Sequence, residues 1–105
     1  MAKQKSLKFN WDAEKAVKNE EKHGISFDEI VVIFKDRNAM YFDDPQHSQN
    51  EIRETIIGWS AARKKPLTCF FTRVEDVITI IGARAATHRE RKLYDENQRV
   101  EYQVD

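Results

Sequence analysis

The densest group of side chains able to do chemistry lies in the run GARAATHRERK, where Arg84, His88, Arg89, Arg91 and Lys92 crowd together. Thr87 and Glu90 have the spacing of a capping box, so a helix should start at His88. The free amides of a first helical turn carry partial positive charge and favour an anion. Guanidinium groups add a planar fork that matches two phosphate oxygens. Histidine is the residue type that most readily exchanges a proton near neutral pH. Together these groups suit a phosphodiester. They also suit a solvated basic helix face, which is the commoner use of such a run.

Other elements must hold that corner in place. Val77 to Ala83 is rich in β-branched residues and reads as the strand that delivers Arg84. Upstream, Ile52–Ser60 and Leu67–Thr72 read as two further strands, joined by the basic turn Ala61–Pro66. Short links between sequential strands predict antiparallel pairing. Arg53, Thr55, Ile57 and Trp59 alternate onto one face. Ala39–Phe42 is a fourth strand, and Asp43, Asp44 and Pro45 open a turn. Leu7, Phe9 and Trp11 alternate with polar residues and indicate a short additional strand.

Two helices precede the sheet. Asp12 is an N-cap, Gly24 a C-cap glycine, and the helix between them has a thin apolar face of Ala13, Ala16 and Val17. Ser26 with Glu29 forms a second capping box, and Ile25 and Ile30 are spaced as a hydrophobic staple. Phe27, Ile30, Val31 and Phe34 share a face, which predicts a helix over Phe27–Phe34. The last helix is expected over His88–Asn97, with a loose polar tail after it. The fold class that follows is α+β: two N-terminal helices on an antiparallel sheet of about four strands, with a C-terminal helix. One domain spans residues 1–105, with its core in 7–97 and loose termini.

Charge is distributed unevenly along the 105 residues. Residues 1–52 hold 8 basic and 10 acidic residues, a net of −2, while residues 53–94 hold 9 and 4, a net of +5. Residues 95–105 hold 1 and 4, a net of −3. The formal total is zero, which argues against gripping nucleic acid by charge alone and fits a local anionic ligand better. Cys69 is the single cysteine and sits in an apolar run, so it reads as a small buried hydrophobe in a reducing, cytoplasmic setting. Neither a signal-peptide pattern nor a run of transmembrane length is present. Asp43, Asp44 and His47 imitate metal ligands, but paired aspartates before proline are ordinary turn chemistry, and no metal or cofactor is expected. Trp59 reads as a core tryptophan, with base stacking as its other use.

The stretches FNWDAEKAVKNEEKHGISFDEIVVIF, YFDDPQH, ETIIGWSA and IIGARAATHRERKLYDE together resemble the BrnT toxins of bacterial type II toxin–antitoxin systems, over Phe9 to Glu96. The sequence departs from that family's usual pattern at Trp59, Gly82 and Ala85. The resemblance implies a RelE-like fold and a small ribonuclease that arrests growth by cutting RNA. It implies a co-encoded antitoxin with a ribbon-helix-helix DNA-binding domain, through which the complex reaches its operator DNA. Metal-free RNA cleavage uses the neighbouring 2′-hydroxyl as nucleophile and needs a base, an acid and cations at the phosphate. On that reading Arg84, Arg89, His88 and His23 are the catalytic candidates. Arg53, Arg63, Arg73, Lys22 and Trp59 are the candidates for RNA contact, with the arginines expected on one face of the sheet. The alternative is a non-catalytic RNA- or partner-binding module that uses the same basic face.

Overall fold

The computed structural model describes residues 6–45 and 52–101. The chain runs β1 (Lys8–Asn10), α1 (Ala13–His23), α2 (Phe27–Ile30), β2 (Met40–Asp43), β3 (Arg53–Ser60), β4 (Lys65–Val74), β5 (Val77–Ala85) and α3 (His88–Glu101). Asp12 caps α1 by accepting from the amides of Glu14 and Lys15 at 2.8 and 3.1 Å. Gly24 ends it at φ 70°, a left-handed conformation that costs glycine little. The Ser26–Glu29 capping box forms in full.

Three expectations about helices need correction. The segment Phe27–Phe34 is α-helical only as far as Ile30, and Val31–Lys35 tightens into a 3₁₀ turn. Ile30, Val31, Val32 and Ile33 are β-branched in succession, which crowds the preceding turn and weakens helix propensity. Val17 is not part of the buried face of α1, being 58% exposed; Ala16 is the residue that packs against the core. The last helix continues past Asn97 to Glu101, through residues read as tail.

The sheet has five strands in the order β1-β5-β4-β3-β2, and it is mixed, not purely antiparallel. β2, β3, β4 and β5 pair antiparallel, but β1 pairs parallel to β5, with Lys8 opposite Val77 and Asn10 opposite Thr79. Alternation identified β1 as a strand but carried no information about its partner. β1 reaches only to Thr79 along β5. Further along that edge, the Asn19 carboxamide of α1 donates to the Ala83 carbonyl at 2.8 Å and accepts from the Ala83 amide at 3.1 Å. A side chain thus supplies the hydrogen bonds that a longer β1 would have made.

One face of the sheet is closed. Ile25, Phe27, Ile30, Ile33 and Phe34 pack on Ile56, Leu67, Cys69, Phe71, Ile78, Ile80 and Ala83. Gly58 is needed for this closeness: a Cβ there would lie 2.7 Å from the Ile33 carbonyl oxygen. Cys69 is fully buried, and burial pushes its thiol pKa up.

β5 contains the irregularity that matters most for the other face. Phe71 pairs with Ile80, but Phe70 pairs with Gly82, so Ile81 is an extra residue. Strict alternation from Ile78 and Ile80 would send residue 84 into the core. The bulge reverses the parity, so that Ala83 faces the core and Arg84 emerges on the opposite face.

Candidate functional site

The open face has a floor of Thr55, Ile57, Thr68, Phe70 and Gly82, with Arg84 beside Thr68 in register. α3 lies over it. Thr87 accepts from the Glu90 amide at 3.2 Å, and Glu90 accepts from the Thr87 amide at 2.9 Å, so the capping box is present. The same carboxylate does more than cap. It accepts from Nη1 and Nη2 of Arg84 at 2.6 and 3.1 Å and from the buried Thr68 hydroxyl at 2.9 Å. Glu90 therefore fixes the fork of Arg84 and ties the start of α3 to β4 and β5. Burial raises its pKa, but the donors from Arg84, Thr87 and Thr68 outweigh this and hold it at about 2. Glu90 is accordingly a fixed anion near neutral pH, unsuited to carrying a proton there.

Arg84 and Arg53 both stand against Phe70, with guanidinium carbons 5.2 and 5.3 Å from its ring centroid. Arg53 also pairs with Asp44 at 3.2 Å. Beside them runs a groove of about 490 Å³. Its floor includes Thr55, Ile57 and Phe70; Phe42, Asp43 and Asp44 line it from the β2 side, and Thr87, Arg89, Glu90 and Leu93 from α3.

The structure divides the sequence candidates between two regions. Arg84, Arg53, Arg89, His88 and Trp59 belong to the α3 side. His88 opens α3 and is exposed, as is Arg89. Lys22 and His23 are exposed at the end of α1, in the helical layer that covers the closed face. Arg63 is near them: it donates to Glu29 at 2.7 and 2.9 Å and to the Gly24 carbonyl at 2.7 Å, which latches the β3–β4 turn to α1 and α2. The Arg63 hydrogen bond is the main cause that lowers the Glu29 pKa. Arg73 follows the alternation of Phe71 onto the closed-face side, at the β4–β5 turn, where it donates to the Glu75 carbonyl at 2.9 Å. Of the three sheet arginines expected on one face, only Arg53 shares the face of Arg84.

Trp59 corrects the expectation of a core tryptophan. It is 40% exposed and stacks on Tyr94 of α3, with ring centroids 6.3 Å apart and planes at 18°. Sequence reasoning missed Glu90, Thr68 and Phe70 as members of this site. Glu90 had a signal, the capping box, but a cap predicts two hydrogen bonds to backbone and says nothing of a guanidinium. Thr68 and Phe70 had no such signal, because their partners lie across strands. Asp43 and Asp44 form no metal-ligand cluster among the described residues, and His47 lies outside those residues.

An α+β chain with a cationic, aromatic-lined open face beneath its last helix is therefore the class in hand. Residues 11–90 match the family described as the ribonuclease toxin BrnT of type II toxin–antitoxin systems, and the chain belongs to that family. No curated protein matched it. No helix among the described residues is long and apolar enough to cross a membrane.

Proposed function

We propose that this chain is a metal-independent endoribonuclease toxin of RelE-like fold that acts in the cytoplasm and stops translation by cutting RNA. The carrying observation is the pair of guanidinium groups, Arg53 and Arg84, set against Phe70 beside an open groove. In this reading the 2′-oxygen attacks the adjacent phosphorus, the bond to the 5′-oxygen breaks, and the product end is a 2′,3′-cyclic phosphate. Arg84 and Arg89 stabilise charge on the crowded phosphate, the task that a metal serves in other nucleases. His88, at the start of α3, takes or returns the proton. His23 is the less favoured carrier, because its helix belongs to the layer on the closed face.

The cognate antitoxin carries a ribbon-helix-helix domain and covers the Arg84 and His88 corner with acidic and apolar groups, blocking RNA entry. Operator DNA is contacted only through that antitoxin. The test is induced expression with and without the antitoxin, alongside cleavage of RNA by purified chain in excess chelator. Growth arrest that the antitoxin relieves, and cyclic-phosphate ends formed in chelator, are the expected results. Cleavage that requires an added divalent ion refutes the metal-free route.

A second reading has its own observation. Arg84 already holds Glu90 and Arg53 already holds Asp44, so the open face could bind RNA or a partner without catalysing anything. Binding of RNA with no cut ends would select it.

A further inference from the structure

Trp59 is unusual among the exposed apolar residues because the side behind it is so firmly built. Its ring lies nearly parallel to that of Tyr94, which is only 4% exposed. The Tyr94 hydroxyl donates to Oδ2 of Asp36, and the Trp59 backbone amide donates to the same oxygen at 2.8 Å. Oδ1 of Asp36 accepts from the Asn38 amide at 2.9 Å. One aspartate thus fixes both the strand that carries the indole and the phenol that supports it. In front of Trp59 lies a slot of about 320 Å³ lined by Val32, Lys35, Asp36, Trp59 and Ala61. Val32 is 45% exposed there, and neither it nor the outer indole face contributes to the closed core.

An aromatic ring backed by a second ring, beside a shallow apolar slot with Lys35 on its rim and the Asp36 carboxylate occupied by three donors, offers a surface for a flat apolar ring attached to an anion. We infer that Trp59 is a pre-built stacking platform for one unpaired nucleobase of single-stranded RNA, with Lys35 meeting a neighbouring phosphate and Asp36 and Tyr94 acting as positioning residues. The inference rests on the ribonuclease reading and deepens it by naming the form of RNA taken. The position supports it. Tyr94 is one helical turn beyond Glu90, about 6 Å along α3, so Trp59 backs onto the helix that holds the Arg84 corner, while Val32 and Lys35 of the 3₁₀ turn form the far wall of the slot. Stacking on an aromatic side chain tolerates any base but needs that base free of its helix. Bases inside a duplex are stacked on both faces and offer none to Trp59.

The experiment uses the full chain and a short 2′-O-methyl oligoribonucleotide, which binds but offers no 2′-hydroxyl nucleophile. Binding is read by anisotropy and by quenching of Trp59 fluorescence in a Trp11→Phe background. Trp59→Ala should weaken single-strand binding about tenfold or more and leave duplex binding unchanged, while Trp59→Phe keeps most of the affinity. Tyr94→Phe keeps the supporting ring and loses its hydroxyl, so it should reduce the quenching more than the affinity, a change that simple loss of stability would not produce. Should Trp59→Ala fail to fold, the parent chain with abasic residues placed along the oligonucleotide gives the same answer, with one position losing about tenfold. If the parent does not bind the oligonucleotide but cuts RNA in the cleavage assay, this inference falls and the ribonuclease reading stands; if it neither binds nor cuts, both fall. If it binds and neither Trp59→Ala nor any abasic position weakens binding, the platform alone is overturned. Loss of antitoxin binding with unchanged RNA binding in Trp59→Ala would also overturn it and make the slot a protein-docking site.

Discussion

The two faces of the sheet are built on different principles. The closed face is apolar, and its largest members, among them Phe27, Ile30, Ile33, Ile56 and Phe71, are essentially inaccessible. The open face is held by a few polar links, Arg84–Glu90, Arg53–Asp44 and Tyr94–Asp36, and leaves Phe42, Trp59 and Leu93 between 39% and 40% exposed. Burial is non-directional and scales with area, so the closed face provides stability. Ion pairs and hydrogen bonds are directional, so the open face provides position. The difference teaches that one sheet can hold a fold with one side and display chemistry on the other, and that mutations on the two sides should fail in different ways.

The largest expected effect breaks the closed face. Phe71→Ala removes a fully buried ring and should cost about 3–5 kcal/mol of stability in urea unfolding. An effect on RNA cleavage with no change in stability would invert the comparison. Next comes the open face. On the proposed reading, Arg84→Ala loses a transition-state donor worth on the order of 3 kcal/mol, a hundredfold or more in rate at matched folded concentration. It also leaves the half-buried Glu90 without its cation, so a stability loss should accompany it. Arg84→Lys should rescue only partly, since lysine keeps the charge and loses the fork. Cleavage by Arg84→Ala at the parent rate would make Arg84 a purely structural partner of Glu90.

The acid range sharpens the comparison. The folded-state pKa of Glu90, about 2, lies below its ordinary 4.5. Its contribution is therefore fully present above pH 4.5 and is lost as pH falls towards 2. Urea midpoints measured through that window should decline in the parent and decline less in Glu90→Gln. Glu29 is lowered in the same direction by Arg63, so Glu29→Gln should act in the same sense. Because Arg63 is exposed, its pair with Glu29 should contribute less. A steeper acid loss in either variant than in the parent would contradict this.

The smallest effects are the caps. Ser26→Ala and Thr87→Ala should each cost about 1 kcal/mol, one on each side of the sheet. Only the Thr87 change should also slow RNA cleavage, because it loosens the helix start that carries His88 and Glu90. Equal activity in the two variants would mean that the α3 corner is not the catalytic one.

Much of this was legible in the residues because it depends on near neighbours. Asp12, Gly24 and the two capping boxes are set by contacts a few positions apart, and the strands of residues 53–85 are marked by local β-propensity and short links; all of them form. The β-branched run Ile30–Ile33 also carried its signal for a tighter turn, although helical periodicity of the apolar residues masked it. Periodicity records which side of an element is buried. It does not record how tightly the backbone is wound.

The sequence alone therefore determined an α+β chain, most of its helix starts and the cationic run from Arg84 to Lys92, because propensity, capping and local charge are properties of short segments. Tertiary structure alone decided that β1 lies parallel to β5, since a partner 69 residues away leaves no local trace. It decided that Arg63 and Arg73 part company with Arg53, because a turn and an alternation point them elsewhere. Above all it decided which way Arg84 faces. The extra residue Ile81 is a bulge only relative to the pairing of β4, and side-chain direction in a strand reverses with every residue inserted. That register, not any single residue type, puts the guanidinium of Arg84 beside Phe70 and Glu90 on the open face.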